Sequence, residues 1–202
     1  MHRAYVSFVL GVFVLAGSFA ESACTATSRP NVVLIISDDQ GWTDYSFMGH
    51  PHIDTPRLDQ LAAESLTFTR GYVTSPLCRA SLASIVTGLP THRHGITGND
   101  PAMPDGSDGH PSRRDPRFAE LHETLYRRIE SVPNVARLLM QAGYATMQTG
   151  KWWDSDPKRF GFSTAMTHGD PQRGGRHGDA GLEISRKGIE PIQRFLDEVA
   201  AD

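Results

Sequence analysis

Asn31-Val-Val-Leu-Ile-Ile-Ser37 is an unbroken apolar run, rich in β-branched residues, that stops at Asp38-Asp39-Gln40-Gly41. A run apolar on both faces fits a central parallel strand covered on either side, whereas an alternating run fits a half-exposed one. Two adjacent carboxylates at the carboxyl edge of such a strand repel unless a cation lies between them, and open α/β sheets bind ligands beyond that edge. Asp38 and Asp39 are therefore candidate ligands for a hard, oxygen-preferring cation such as Ca²⁺ or Mg²⁺; the alternative is a solvated turn. Downstream, Thr55 suits a helix cap and Pro56 the first helical position, with Leu58, Leu61 and Ala62 at helical spacing. Leu66 to Val73 alternates as a strand. The order strand, loop, helix, strand predicts an α/β fold, a mostly parallel sheet with helices on both faces.

Residues 79–87 read as a short helix with small residues on one side and Leu82, Ile85 and Val86 on the other, closed by Gly88. Cys78 then sits at or just before a helix N-terminus, where backbone N–H groups and the helix dipole favour an anion. A buried structural cysteine is the other reading. Further on, Asn134 to Ala142 has apolar residues at helical spacing, Gly143 ends it, and Tyr144 to Thr149 reads as the next strand. Lys151 lies beyond that strand's carboxyl end, on the sheet edge expected for Asp38 and Asp39.

The chain has 202 residues, 39% hydrophobic and 21% charged, with a net charge of −3. That balance offers no basic surplus for nucleic acid or an acidic membrane. Two cysteines cannot build a disulfide framework. His2 and Arg3 precede an uncharged run from Ala4 to Ala20, with small residues at Ser18 and Ala20, the pattern of a signal peptide over residues 1–20. As a helix that run reaches about 25 Å, short of the ~30 Å hydrocarbon core. A short linker over 21–30 follows, and the expected location is secreted or periplasmic, with no membrane contact beyond the signal peptide. Asn99 to Arg117, with four prolines, reads as a loop insertion. The pairs His50/His52 and His92/His94 lack the further ligands zinc needs and read as surface or cleft residues. His168 lies in a glycine-rich stretch and reads as a loop histidine. Glu190 to Ala200 reads as an amphipathic helix with Ile192, Phe195, Leu196 and Val199 on one stripe.

Four blocks in order resemble the sulfatase family: Asn31-Val-Val-Leu-Ile-Ile-Ser-Asp-Asp-Gln-Gly-Trp42, Ile53-Asp-Thr-Pro-Arg-Leu-Asp-Gln-Leu-Ala62, Ser75-Pro-Leu-Cys-Arg-Ala-Ser81 with Thr87-Gly88, and Ala142-Gly-Tyr-Ala-Thr-Met-Gln-Thr-Gly-Lys-Trp152. The resemblance covers residues 31–162 and implies an alkaline-phosphatase-like core and a sulfuric ester hydrolase. In that family the motif cysteine is oxidised to formylglycine, whose hydrate attacks sulfur through one oxygen and expels sulfate through the other. A Ca²⁺ held by paired acidic residues serves as Lewis acid and template. Carried over residue by residue, the resemblance implies Cys78 as the formylglycine precursor, and Asp38, Asp39 and the modified Cys78 as the calcium site. Lys151 is implied as a sulfate contact that stabilises charge on the leaving oxygen. The implied partners are a sulfated small molecule or sulfated carbohydrate and a formylglycine-generating or other sulfatase-maturing enzyme.

The sequence departs from the family pattern at two positions. Leu82 stands where the modification motif carries Arg; Arg79 is adjacent to Cys78 but lies about 100° around the helix from it. Trp153 follows Gly-Lys-Trp where His is usual, and its one N–H cannot serve as an acid or base. Family members are longer and draw further calcium ligands, a second Lys and a His from their downstream part. Residues 31–202 thus read as the N-terminal part of a sulfatase catalytic domain, apparently truncated. A phosphodiesterase or phosphonate hydrolase of the same superfamily and an inactive remnant are the alternative readings.

Overall fold

The computed structural model describes residues 29–103, 115–167, 184 and 186–201. The expected signal peptide, Cys24, most of the linker, most of the 99–117 insertion and His168 lie outside the described residues. The chain divides into two units, Met1–Ser37 and Asp38–Asp202.

In the first unit, residues 31–37 form no strand, which corrects the reading of the opening run. No ladder hydrogen bond engages them among the described residues, and Ile35 is 84% exposed. The composition suits a strand, but a strand is a pairwise object and gains its backbone hydrogen bonds only from a neighbour.

In the second unit the same correction applies to 66–73, which has no strand and leaves Leu66, Phe68 and Tyr72 exposed. The sheet among the described residues is one short parallel pair, β1 (Met147–Gln148) and β2 (Thr164–Ala165), with Met147 opposite Thr164 and Gln148 opposite Ala165. Parallel neighbours need a crossover of about a dozen residues or more, and the segment between β1 and β2 supplies it. That segment begins with Lys151, just past the carboxyl end of β1, where the sequence reading placed it. The unit is therefore mainly helical with a small parallel sheet.

Six helices have described ranges: α1 (Pro56–Glu64), α2 (Cys78–Thr87), α3 (Thr91–His94), α4 (Phe118–Glu130), α5 (Val135–Gln141) and α6 (Glu190–Ala201). Pro56 opens α1 as expected, but the Thr55 hydroxyl does not cap it. Its oxygen accepts instead from the Ser46 amide at 3.0 Å while the hydroxyl donates to the Asp59 carboxylate at 2.8 Å, so it is turned to the preceding loop rather than to the helix amides. Asp59 also accepts from the Ser46 hydroxyl at 2.7 Å and the Phe47 amide at 3.2 Å, pinning the loop after Asp39 to α1. The Ser46 hydrogen bond foremost holds the Asp59 carboxyl below its usual range. In α5 the Asn134 side chain accepts from the Arg137 amide at 3.0 Å, a regular N-cap, and Gly143 at φ +82° follows the helix end. α6 forms where its stripe predicted it, with Leu196 and Val199 exposed. Among the described residues no helix is long and apolar enough to cross a membrane.

α4 was not anticipated. Leu125, Tyr126 and Ile129 on its inner face join Ala83, Val86, Ile96, Trp152 and Phe160 in the core. Arg159, in the 3-10 turn Pro157–Phe160, clamps the crossover to α4 by bidentate contacts to Glu123 and Glu130 at 2.8 to 3.0 Å. Gly161 follows at φ +100°, and a Cβ there would meet the Arg137 backbone at 2.7 Å. Only glycine lets the crossover pass α5 this closely.

Candidate functional site

Asp38 and Asp39 follow directly on the apolar run. Along a straight strand successive side chains face opposite ways, but Asp39 adopts φ +53°, in the left-handed region that Asp tolerates better than most residues. The alternation breaks there. One oxygen from each carboxylate and the Cys78 sulfur all lie within 4.8 Å of one another.

Cys78 is the first residue of α2, with Leu77 at the cap position. It is half-buried, and among the amides behind it that of Arg79 donates to the Asn99 side chain at 3.0 Å. A distant asparagine thus satisfies one of the donors that a helix start leaves open. α2 buries its small face, Ala80, Ala83 and Ser84, while Ile85 is exposed.

Lys151 completes the group from the other side. Its Nζ lies 2.6 Å from Asp38 Oδ2 and 3.3 Å from Cys78 Sγ. Its ammonium lies 5.5 Å from the centroid of the Trp153 ring, within cation–π range. Partial burial pulls the Lys151 pKa down, but hydrogen bonds to Asp38 and Cys78, helped by their charges, more than offset this and hold it above the ordinary lysine value. Lys151 is therefore a fixed positive charge facing a thiol and two carboxylates. The structure brings together all four residues singled out from the sequence: Asp38, Asp39, Cys78 and Lys151.

Arg79 does not turn toward Cys78. Its side chain is fully buried and points into the interior, where Nε lies 2.8 Å from Asp154 Oδ1 and Nη2 pairs with the same oxygen. The nearby histidine pairs do not join the group; His94 is buried and shares a hydrogen bond with the Ser84 hydroxyl at 2.9 Å. No other cluster of three or more His, Cys, Asp or Glu suited to a metal occurs among the described residues.

A family model for sulfatases matches residues 30–174. The chain belongs to the sulfatase family. It is 33% identical over 131 residues to N-acetylgalactosamine-6-sulfatase from Canis lupus familiaris, a match over 64% of this chain and 23% of that protein. It is 38% identical over 134 residues to arylsulfatase A from Homo sapiens, over 66% of this chain and 23% of that protein. Among solved structures, the crystal structure of Ps i-CgsB aligns with TM-score 0.52 and 30% identity, covering 68% of this chain and 28% of that one. The matches thus span about a quarter of the length of each of these proteins.

Against the family motif, this sulfatase chain carries Leu82 at the Arg position and sends its neighbouring cation, Arg79, inward. The Trp153 that replaces the usual His is buried, with its ring beside Lys151. Asn99, His122, Tyr126 and Asp154 surround the buried side chain of Arg79 and were not identified from the sequence. For Asp154 a signal existed, its position three residues after Lys151; for His122 and Tyr126 it lay in the helical spacing of Phe118, Leu125 and Ile129.

Proposed function

We propose that this chain carries the nucleophile-bearing part of a secreted sulfuric ester hydrolase that uses formylglycine made from Cys78 and a bound Ca²⁺. One observation carries the reading: residues 38, 39, 78 and 151, from three separate segments, converge on one point with opposite charges facing. The donor set fits the cation. Two carboxylates and the group at position 78 can reach a common ion, and hard oxygens suit Ca²⁺. Lys151 places a positive charge 2.6 Å from Asp38 at the edge of this cluster, which supports the reading that a cation is favoured there. Asp38 and Asp39, together with the oxidised residue 78, would hold Ca²⁺.

When present, the two groups would supply Lewis-acid polarisation of a sulfate oxygen and a hydrated aldehyde oxygen as nucleophile. The remaining chemistry falls to the protein. Cys78 opens α2, so residue 78 sits at the positive end of the helix dipole, where an anionic sulfate is favoured. Lys151, kept protonated by Asp38, is within reach of the same point and stabilises negative charge that moves to the leaving oxygen. Trp153, with its ring 5.5 Å from the Lys151 ammonium, helps to restrain it.

The substrate class is a sulfate ester on a carbohydrate or small molecule, since the names of its relatives share the ester and differ in the alcohol. Maturation would require a formylglycine-generating or comparable enzyme. Residues 1–20 would direct secretion, and residues 31–202 would form the N-terminal part of an alkaline-phosphatase-like catalytic domain.

The test is coexpression of the full-length protein with a formylglycine-generating enzyme, followed by mass spectrometry of the Cys78 peptide and assays on sulfate and phosphate esters with and without Ca²⁺. An aldehyde at position 78, with Ca²⁺-dependent sulfate release lost in Cys78→Ala, is the expected result. A thiol that stays unconverted, as Leu82 in the motif allows, overturns the mechanism. Preference for phosphate esters points instead to a phosphodiesterase or phosphonate hydrolase.

A further inference from the structure

We propose that the buried pair Arg79–Asp154 is a positioning device that holds Lys151 in register with Cys78. Its catalytic consequence rests on the sulfatase reading; its geometric content does not. Cys78 and Arg79 are neighbours at the start of α2, and Lys151 and Asp154 are three residues apart on the β1–β2 crossover. The same two segments are therefore joined twice, by Lys151 to Cys78 at 3.3 Å and by Arg79 Nε to Asp154 at 2.8 Å. The first contact lies at the half-buried site, whereas the second is sealed, with side-chain exposures of 0% and 4%.

Arg79 is held on every side. Nη1 lies 3.3 Å from the Asn99 carbonyl oxygen and 3.3 Å from His122 Nδ1, and the guanidinium carbon lies 5.3 Å from the Tyr126 ring centroid. A planar guanidinium so engaged has one orientation available, which a lysine at the same place would not. Asp154 is equally fixed, because its backbone carbonyl accepts from Trp152 Nε1, and Trp152 packs in the core against Phe160 and Phe162. Lys151 lies next to that anchored tryptophan. Restraint at Asp154 is thus transmitted to Lys151 through three residues of backbone.

A buried ion pair is a poor route to stability, because desolvation of both charges offsets most of their attraction. Its placement here is better explained by geometry. Arg79 cannot serve as the motif's missing Arg by touching the reacting group, since it points away from Cys78. It acts through Lys151.

The experiment uses the full-length protein in two forms. In the unconverted protein, a short iodoacetyl–N-hydroxysuccinimide linker alkylates the Cys78 sulfur with loss of iodide. It acylates the Lys151 amine with loss of N-hydroxysuccinimide, and mass spectrometry of the digest measures the cross-link. Asp154→Asn should lower the cross-link yield severalfold in protein that still melts cooperatively. The double variant Arg79→Met with Asp154→Ala removes both charges without adding volume and leaves no unpaired buried charge, whereas the single change leaves one at Arg79, and it should show the same loss. In the converted protein the same variants should lose about 10–100-fold in kcat with KM nearly unchanged, and Arg79→Lys should recover part of it. An unchanged cross-link yield in the folded variants overturns the proposal. A wild-type protein that cross-links as expected but hydrolyses no sulfate ester leaves the device standing and removes the sulfatase reading instead.

Discussion

Residues 66–73 and 144–149 both read as strands from the sequence, yet only the second contributes to a sheet. The difference lies in what the chain brings alongside. After 149 the crossover returns through Phe160 and Gly161, and the Thr164 amide meets the Thr146 carbonyl at 2.9 Å while the Met166 amide meets that of Gln148 at 3.0 Å. Thr146 and Ser163 add side-chain hydrogen bonds across the same seam. Nothing comparable reaches 66–73 among the described residues, and Tyr72 stays 87% exposed. Periodicity states which residues could face a core; a ladder partner decides whether a strand exists.

The largest expected effect strikes the paired side. Phe160→Ala should cost about 3–5 kcal/mol, since its side chain is fully buried among Trp152 and its neighbours. Urea unfolding measures this, and a loss below ~1 kcal/mol would mean that the crossover is not packed as described. Gly161→Ala comes next, at about 2–4 kcal/mol, from a left-handed backbone combined with collision against the Arg137 main chain. Gly88→Ala is its control: φ is also positive, at +69°, but no atom lies within 4 Å of the added Cβ, so only about 1 kcal/mol is expected.

A smaller effect comes from His94, whose Nδ1 accepts from the Ile96 amide at 3.1 Å and which is therefore buried as the neutral ring. Burial first, and the charge of Arg128 second, lower its pKa below the ordinary 6.5. The folded protein thus binds a proton here less readily than the unfolded chain. The contribution of His94 to stability is complete above the unfolded value and is lost as pH falls through the folded one. The urea midpoint should drop between about pH 7.5 and about pH 5, less steeply in His94→Gln. An identical slope in the variant would assign the effect elsewhere.

The smallest effect belongs to the unpaired side. Phe68→Ala should change stability by no more than about 0.5 kcal/mol, because the ring is 78% exposed. A cost approaching that of Phe160→Ala would show that 66–73 is covered in solution and would erase the contrast.

Much of the site was legible before any coordinates. The paired carboxylates, the cysteine at a helix start and the lysine after a strand each sit where a local pattern ends, and such ends gather at sheet edges and helix termini. α4 was missed because its apolar residues follow a proline-rich stretch read as loop, although Phe118, Leu125 and Ile129 keep helical spacing. The course of Arg79 was not legible for another reason. A cation beside Cys78 gives no local sign of its partner, and that partner stands 75 positions away.

By itself, then, the sequence determined where α1, α2, α5 and α6 lie, the glycines that follow α2 and α5, and the residue types of the site, since these depend on contacts within a few residues. It also determined the family, whose motifs are local. Only the tertiary structure decided which strand-like runs find a ladder, which way Arg79 points, and how close Lys151 comes to Cys78. Those outcomes depend on which distant backbones and charges are brought together, and spacing along the chain does not encode that.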